Sequence, residues 1–126
     1  PEVTDVTNAA SALLNTKGIS AIFCSNEGTV SGLLAATSSG ADLADGAAYG
    51  DLLVAGFDAG APQKNAVRNG WFIGSVTQDP YRIGYLSIEL AVKAAKGEEV
   101  EDVDTGAQWY TAENIDDPDM AMLVYD

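Results

Sequence analysis

The chain has 126 residues, with 19 acidic side chains against 6 basic ones and a formal net charge of -13. This charge disfavours nucleic-acid binding by this segment, which depends on cationic contacts with phosphate, and it disfavours docking on anionic lipid. No histidine is present and Cys24 is the only cysteine, which excludes serine–histidine–aspartate catalysis, an internal disulfide and a cysteine-rich zinc site. The hydrophobic content of 47% is that of a globular domain, and no apolar run reaches the roughly 20 residues of a membrane span.

Hydrophobic periodicity predicts helices and strands that alternate along most of the chain. In chain order, we expect a helix over residues 3–14, a strand buried on both faces over 19–24, a helix over 29–37, a strand over 52–57, a helix over 62–69, a strand over 71–77, a helix over 81–96 and a short strand near 108–111. The longest helix carries one apolar stripe, formed by Tyr81, Gly84, Tyr85, Ile88, Ala91, Val92 and Ala95.

The alternation of strands and helices predicts an α/β fold. Short connections between successive strands and helices favour a parallel sheet with helices on both faces. Ligands of such sheets bind in a crevice at the carboxyl ends of the strands. The predicted site therefore lies where the first three strands end.

Three polar side chains follow those strands, namely Asn26, Asp58 and Gln78. A carboxylate can accept hydrogen bonds from two adjacent hydroxyls, and a primary amide both donates and accepts as a hydroxyl does. The set therefore suits a neutral polyol, and it predicts recognition without catalysis, cofactor or metal. Each residue could instead serve only as a turn or helix cap. Cys24 lies within an apolar run, which predicts an inert buried thiol.

Three motifs follow one another in a recognisable order: ISAIFCSNEG, LLVAGFDAGAPQKNAVRNG and WFIGSVTQDPYRIGYLSIELAVKAAKGE. Together they resemble the C-terminal part of type 1 periplasmic sugar-binding proteins, the ribose-binding-protein-like solute receptors of ABC importers. The resemblance covers nearly the whole chain. It implies a Rossmann-like lobe, and a protein in which two lobes joined by three hinge strands enclose a sugar.

Carried over by position, the resemblance implies that Asn26, Asp58 and Gln78 bond sugar hydroxyls and that Phe57 lies beside the pocket. It also implies an ABC transporter permease as partner, and no catalytic role or cofactor. We expect a location in the periplasm or outside the cell, as a surface lipoprotein if the source is Gram-positive.

The resemblance further implies a truncated arrangement. Residues 1–80 would form part of the C-terminal sugar-binding lobe, residues 81–97 a helix that returns to the N-terminal lobe, and residues 98–126 a hinge and an acidic tail. The chain is then expected to be a fragment whose long helix lacks its native sheet. An exposed apolar stripe and an unpaired strand edge predict self-association.

Two alternatives remain open on the sequence. LacI-type transcription regulators share this core as an effector-binding domain, and a sugar-sensing lobe of a membrane receptor is the other alternative. The acidity of the chain and its ending DTGAQWYTAENIDDP favour a transport receptor.

Overall fold

A computed structural model describes residues 3–125. Five helices and four strands alternate along most of this part of the chain, and a short 3-10 helical segment lies between α2 and β2. Their bounds are α1 Val3–Leu14, β1 Ala21–Phe23, α2 Glu27–Ala36, the 3-10 segment Ser38–Leu43, β2 Leu53–Phe57, α3 Ala61–Arg68, β3 Gly74–Gln78, α4 Pro80–Ala95, β4 Ala107–Tyr110 and α5 Pro118–Ala121.

The four strands form one sheet in the order β1-β2-β3-β4. The first three strands are parallel, with Phe23 opposite Ala55 and Phe57 opposite Val76. The last strand, β4, runs antiparallel to β3. The predicted α/β fold is confirmed as a mostly parallel sheet flanked by helices, and the strand predicted near residues 108–111 is the antiparallel one.

The core lies between one face of the sheet and the helices packed on it. Because side chains alternate along a strand, Val54 faces the core and is fully buried, whereas the adjacent Leu53 is 55% exposed. Helix α2 packs on β2, and α3 packs on β3. The buried apolar side chains of these two helices are Val30, Leu33, Ala66 and Val67.

The first strand is not buried on both faces, so that prediction is wrong. Among the described residues β1 pairs only with β2 and therefore lies at an edge of the sheet. Phe23 is 60% exposed, on the same face as the exposed Leu53. The apolar run over residues 19–24 predicted burial, but apolar composition alone does not distinguish a central strand from an uncovered edge strand.

Helix α4 extends the chain away from this core. Asp79 caps its first turn by accepting a hydrogen bond from the Arg82 N–H at 2.8 Å, and Pro80 occupies a position where a missing N–H costs nothing. No residue of α4 is buried. The apolar stripe predicted on this helix is open to solvent, with Tyr81, Ile88 and Val92 all exposed.

The residues that follow α4 return to the sheet. Tyr110 of β4 is fully buried, and Ile115 and Met120 also belong to the core. The acidic side chains of this segment point outward, as the exposure of Asp116 and Asp119 shows. None of the helices formed by residues 3–125 combines the length and apolar character needed to cross a bilayer.

Gly32 allows α1 and α2 to pack closely, and we predict that Gly32→Ala destabilises the chain. A Cβ at this position would lie 2.9 Å from the Cβ of Val6 and 3.0 Å from its carbonyl carbon. Because the backbone of α1 must move to make room, we expect a loss of about 1–3 kcal/mol in the free energy of unfolding. Urea denaturation followed by circular dichroism measures this loss.

Gly84→Ala provides the matched control, because a Cβ at Gly84 in the exposed helix α4 meets no atom within 4 Å. That substitution should stabilise the chain by about 0.5–1 kcal/mol through helix propensity. Equal effects of the two substitutions would contradict the close packing of α1 on α2.

Candidate functional site

The carboxyl ends of β1, β2 and β3 lie at the same edge of the sheet because these neighbouring strands are parallel. Asn26 lies three residues beyond the end of β1, and Asp58 directly follows β2. Gln78 is the last residue of β3, where it pairs with Ala107, whereas the sequence predicted that the strand ends at residue 77. The predicted site residues thus belong to three adjacent strand ends.

Asn26 is the N-cap of α2. Its backbone is extended, and its Oδ1 accepts a hydrogen bond from the Thr29 N–H at 2.9 Å. In return, the Asn26 N–H donates to Thr29 Oγ1 at 3.1 Å, which completes a capping box. This cap starts the helix at Glu27, two residues earlier than the sequence predicted. The side chain remains exposed, and its Nδ2 amide has no hydrogen-bond partner among residues 3–125.

Asp58 lies against the same helix end. Its Oδ2 accepts a hydrogen bond from the Glu27 N–H at 3.0 Å, so the carboxylate sits at the positive N-terminus of α2 and beside Asn26. The side chain is half-buried, and Oδ1 has no hydrogen-bond partner among the described residues. The structure therefore brings Asp58 and Asn26 together at the sheet edge.

The backbone of Asp58 adopts a conformation that L-residues rarely take, with φ at +77°. Its N–H donates to the Val76 carbonyl at 2.8 Å. Its own carbonyl accepts two hydrogen bonds of 2.9 Å, one from Ser75 Oγ and one from the Tyr110 hydroxyl. Burial raises the pKa of Tyr110 to about 12, so this hydroxyl is protonated and able to donate at neutral pH.

Gln78 and Phe57 are placed differently from the Asn26–Asp58 pair. The Gln78 side chain is exposed and forms no hydrogen bond to Asn26 or Asp58. Phe57 is half-buried, and its carbonyl accepts a hydrogen bond from the Nε2 of the fully buried Gln63 at 3.1 Å. These two residues flank the pair along the carboxyl ends of β2 and β3.

Glu27 is a second carboxylate at this edge, and it lies before the start that the sequence predicted for α2. A Cβ added to Gly60, the N-cap of α3, would lie 2.7 Å from Glu27 Oε2. The Glu27 side chain therefore lies against the start of α3 and depends on a glycine there. The nearby thiol of Cys24 is buried, and burial raises its pKa to about 11, in agreement with an unreactive thiol.

The side chains at this edge of the sheet are suited to hydrogen bonding with a polar ligand. Asp58 and Glu27 supply anionic acceptors, while Asn26 and Gln78 supply amide groups that donate as well as accept. No group of three or more His, Cys, Asp or Glu side chains within residues 3–125 is arranged to hold a metal ion. Sequence reasoning missed Ser75 and Tyr110, since a serine within a strand and a tyrosine 52 positions from Asp58 carry no local signal of their contact with it.

Known proteins resemble this chain in sequence and in structure. A family model described as "Periplasmic binding protein domain" matches residues 2–99. The ribose import binding protein of Haemophilus influenzae is 35% identical over 95 residues, which are 75% of this chain and 30% of that protein. The chain thus spans less than a third of that relative.

Solved structures superpose on nearly the whole chain. A protein from Brachyspira murdochii described as "ABC transporter, LacI family transcriptional regulator" gives a TM-score of 0.86 at 44% identity, covering 99% of this chain and 41% of its own. A carbohydrate transporter solute-binding protein from Agrobacterium radiobacter, solved with D-arabinose, gives a TM-score of 0.82 at 33% identity, covering 98% and 41%.

Proposed function

Because this chain belongs to the periplasmic binding protein family, we propose that it forms part of the sugar-binding lobe of an ABC importer's solute receptor. In this proposal Asn26, Asp58 and Gln78 hydrogen-bond the hydroxyls of a sugar or similar polyol, and Phe57 lies beside the bound ligand. The chain binds its ligand for uptake and does not transform it.

The proposal depends chiefly on one observation, the position of the Asp58 carboxylate. One of its oxygens accepts a hydrogen bond from the Glu27 N–H, whereas Oδ1 has no partner among residues 3–125 and can accept a hydrogen bond from a hydroxyl group. The Nδ2 of the neighbouring Asn26 is available to donate to an adjacent hydroxyl. A donor beside a charged acceptor is the pattern that a polyol's adjacent hydroxyl groups require.

We assign the parts of the chain accordingly. Residues 1–80 form part of the C-terminal lobe, residues 81–97 reach the other lobe, and residues 98–126 return as hinge and tail. The exposed stripe of α4 and the burial of Tyr110 support this division. The receptor would act with a membrane permease, in the periplasm or outside the cell, tethered by a lipid if the source is Gram-positive.

A regulator of the LacI type is the second candidate, supported by the description of the Brachyspira murdochii protein. The net charge of -13 opposes direct DNA contact by this segment but not an effector-binding role. The gene sequence upstream of residue 1 distinguishes the two. A helix-turn-helix there indicates regulation, and a signal peptide with a lipobox cysteine indicates transport.

We predict that Asp58→Asn weakens sugar binding by the two-lobed receptor that contains this chain. Asparagine keeps the shape of the side chain and tolerates the left-handed backbone, but it replaces a charged acceptor with a neutral one. Hydrogen bonds to charged groups contribute about 1.5–3 kcal/mol, so we expect Kd to rise roughly ten- to a hundredfold. Titration calorimetry with D-ribose, D-arabinose, D-fucose and myo-inositol identifies the ligand and measures the change.

Asp45→Asn is the matched control, since Asp45 is an exposed carboxylate in the loop before β2. It removes the same charge from the chain without altering the sheet edge. Unchanged affinity in both variants would refute the role assigned to Asp58. Loss of affinity in both would attribute the effect to net charge.

We further propose that the 126-residue chain alone self-associates through its uncovered apolar surfaces. The stripe of α4 is exposed along its length, and one edge of β1 is unpaired among residues 3–125, with Phe23 exposed beside it. Such surfaces drive association, whereas the charge of -13 opposes it by repulsion. Added salt should therefore increase the mean mass measured by light scattering.

Tyr85→Lys in α4 supplies the control for this prediction. Tyr85 is 64% exposed, so the substitution interrupts the stripe without disturbing the core. The variant should associate less than the unaltered chain at the same ionic strength. A monomer at every protein and salt concentration would contradict the proposed self-association.

A further inference from the structure

Asp58 lies in the turn between β2 and α3. Its backbone conformation is strained and must be held by contacts with other residues. A non-glycine residue with φ at +77° is strained, and in the absence of other contacts the peptide would relax toward a negative φ. Such a rotation would redirect the carboxylate away from the N-terminus of α2. The direction of the Asp58 side chain thus depends on what holds its backbone.

Two buried hydroxyl groups hold the Asp58 backbone by hydrogen bonds to its carbonyl. Ser75 of β3 and Tyr110 of β4 both donate to the Asp58 carbonyl at 2.9 Å, and both side chains are fully buried. Rotation of the peptide would leave both hydroxyls without this acceptor in a site that water does not reach, which is costly. The two donors therefore oppose relaxation of the strained residue.

Residues 123 and 125 add further hydrogen bonds at this turn and at the neighbouring strand β3. The Tyr125 N–H donates to the Ala59 carbonyl at 3.1 Å. Thr77 Oγ1, in the strand next to the turn, donates to the Leu123 carbonyl at 2.7 Å. The segment from β4 to Tyr125 thus contacts both the turn and β3, although Tyr110 is 52 residues distant from Asp58 in sequence.

We propose that Tyr110 is a positioning residue, which fixes the left-handed backbone of Asp58 and so directs the carboxylate into the binding site. This proposal rests on the function proposed above. It makes the C-terminal segment a determinant of ligand affinity although Tyr110 itself is buried away from the ligand. Tyr110 acts only through the Asp58 carbonyl.

A double-mutant cycle in the unliganded receptor tests the backbone part of the proposal without any sugar. Tyr110→Phe keeps the packing of the ring and removes the hydroxyl, while Asp58→Gly makes a positive φ free of strain. We expect Tyr110→Phe to lower the urea midpoint by less in the wild type, where relaxation of the strained Asp58 backbone offsets part of the lost hydrogen bond, than in the Asp58→Gly background, where there is no strain to release. A purely structural role for the hydroxyl predicts equal shifts in both backgrounds, and that result would overturn the proposal.

Ser75→Ala serves if Tyr110→Phe prevents folding, because Ser75 donates to the same carbonyl. Its shift should depend on the Asp58 background in the same way. The matched control is Tyr49→Phe, since the half-buried Tyr49 forms no side-chain hydrogen bond to another of residues 3–125. Its shift should be the same whether residue 58 is aspartate or glycine.

Sugar affinity tests the second part, with the four sugars and polyols named above as probes. Tyr110→Phe should raise Kd by roughly three- to tenfold, whereas Tyr49→Phe should leave it unchanged. Unchanged affinity in Tyr110→Phe, together with a loss in Asp58→Asn, would refute positioning while the proposed function stands. If Asp58→Asn binds as the wild type does, the proposed function fails, and the cycle still decides whether Tyr110 holds the Asp58 backbone.

Discussion

The strained backbone of Asp58 is the constraint on which the candidate site depends. A left-handed conformation costs an L-residue about 1–2 kcal/mol, and two buried hydrogen bonds to the same carbonyl offset this at about 0.5–1.5 kcal/mol each. The strain is thus balanced by contacts from β3 and β4, two strands that follow Asp58 in the chain. The carboxylate direction is consequently a property of the folded sheet and not of the local turn.

The same turn, between β2 and α3, lies beside the N-termini of both α2 and α3. Asp58 places its carboxylate at the N-terminus of α2, while the Glu27 side chain from α2 lies against Gly60 at the start of α3. Carboxylates near helix N-termini are stabilised by the exposed N–H groups and the helix dipole. A bound hydroxyl group would therefore meet acceptors that are already oriented, which limits the entropy lost on binding.

The sequence was sufficient to predict local features. Hydrophobic periodicity and turn residues predicted the order of strands and helices, and the crevice rule predicted that Asn26 and Asp58 would lie at one edge of the sheet. Long-range pairing was not predictable in the same way. The antiparallel pairing of β4, the contact of Tyr110 with Asp58 and the exposure of Phe23 all depend on which segments meet in space, and composition carries little information about that. Glu27 was missed because the sequence predicted that α2 begins at residue 29, which placed this glutamate outside the helix.

The central claim is that Asp58, held by β3 and β4, accepts hydrogen bonds from the hydroxyl groups of a sugar. A crystal structure of the proposed two-lobed receptor in complex with a sugar tests this most directly. We predict a hydroxyl oxygen of the ligand about 2.5–3.0 Å from Asp58 Oδ1, with φ of Asp58 still positive and the Tyr110 hydroxyl still on its carbonyl. A ligand bound elsewhere, or a carboxylate whose only partner remains the Glu27 N–H, would contradict the account.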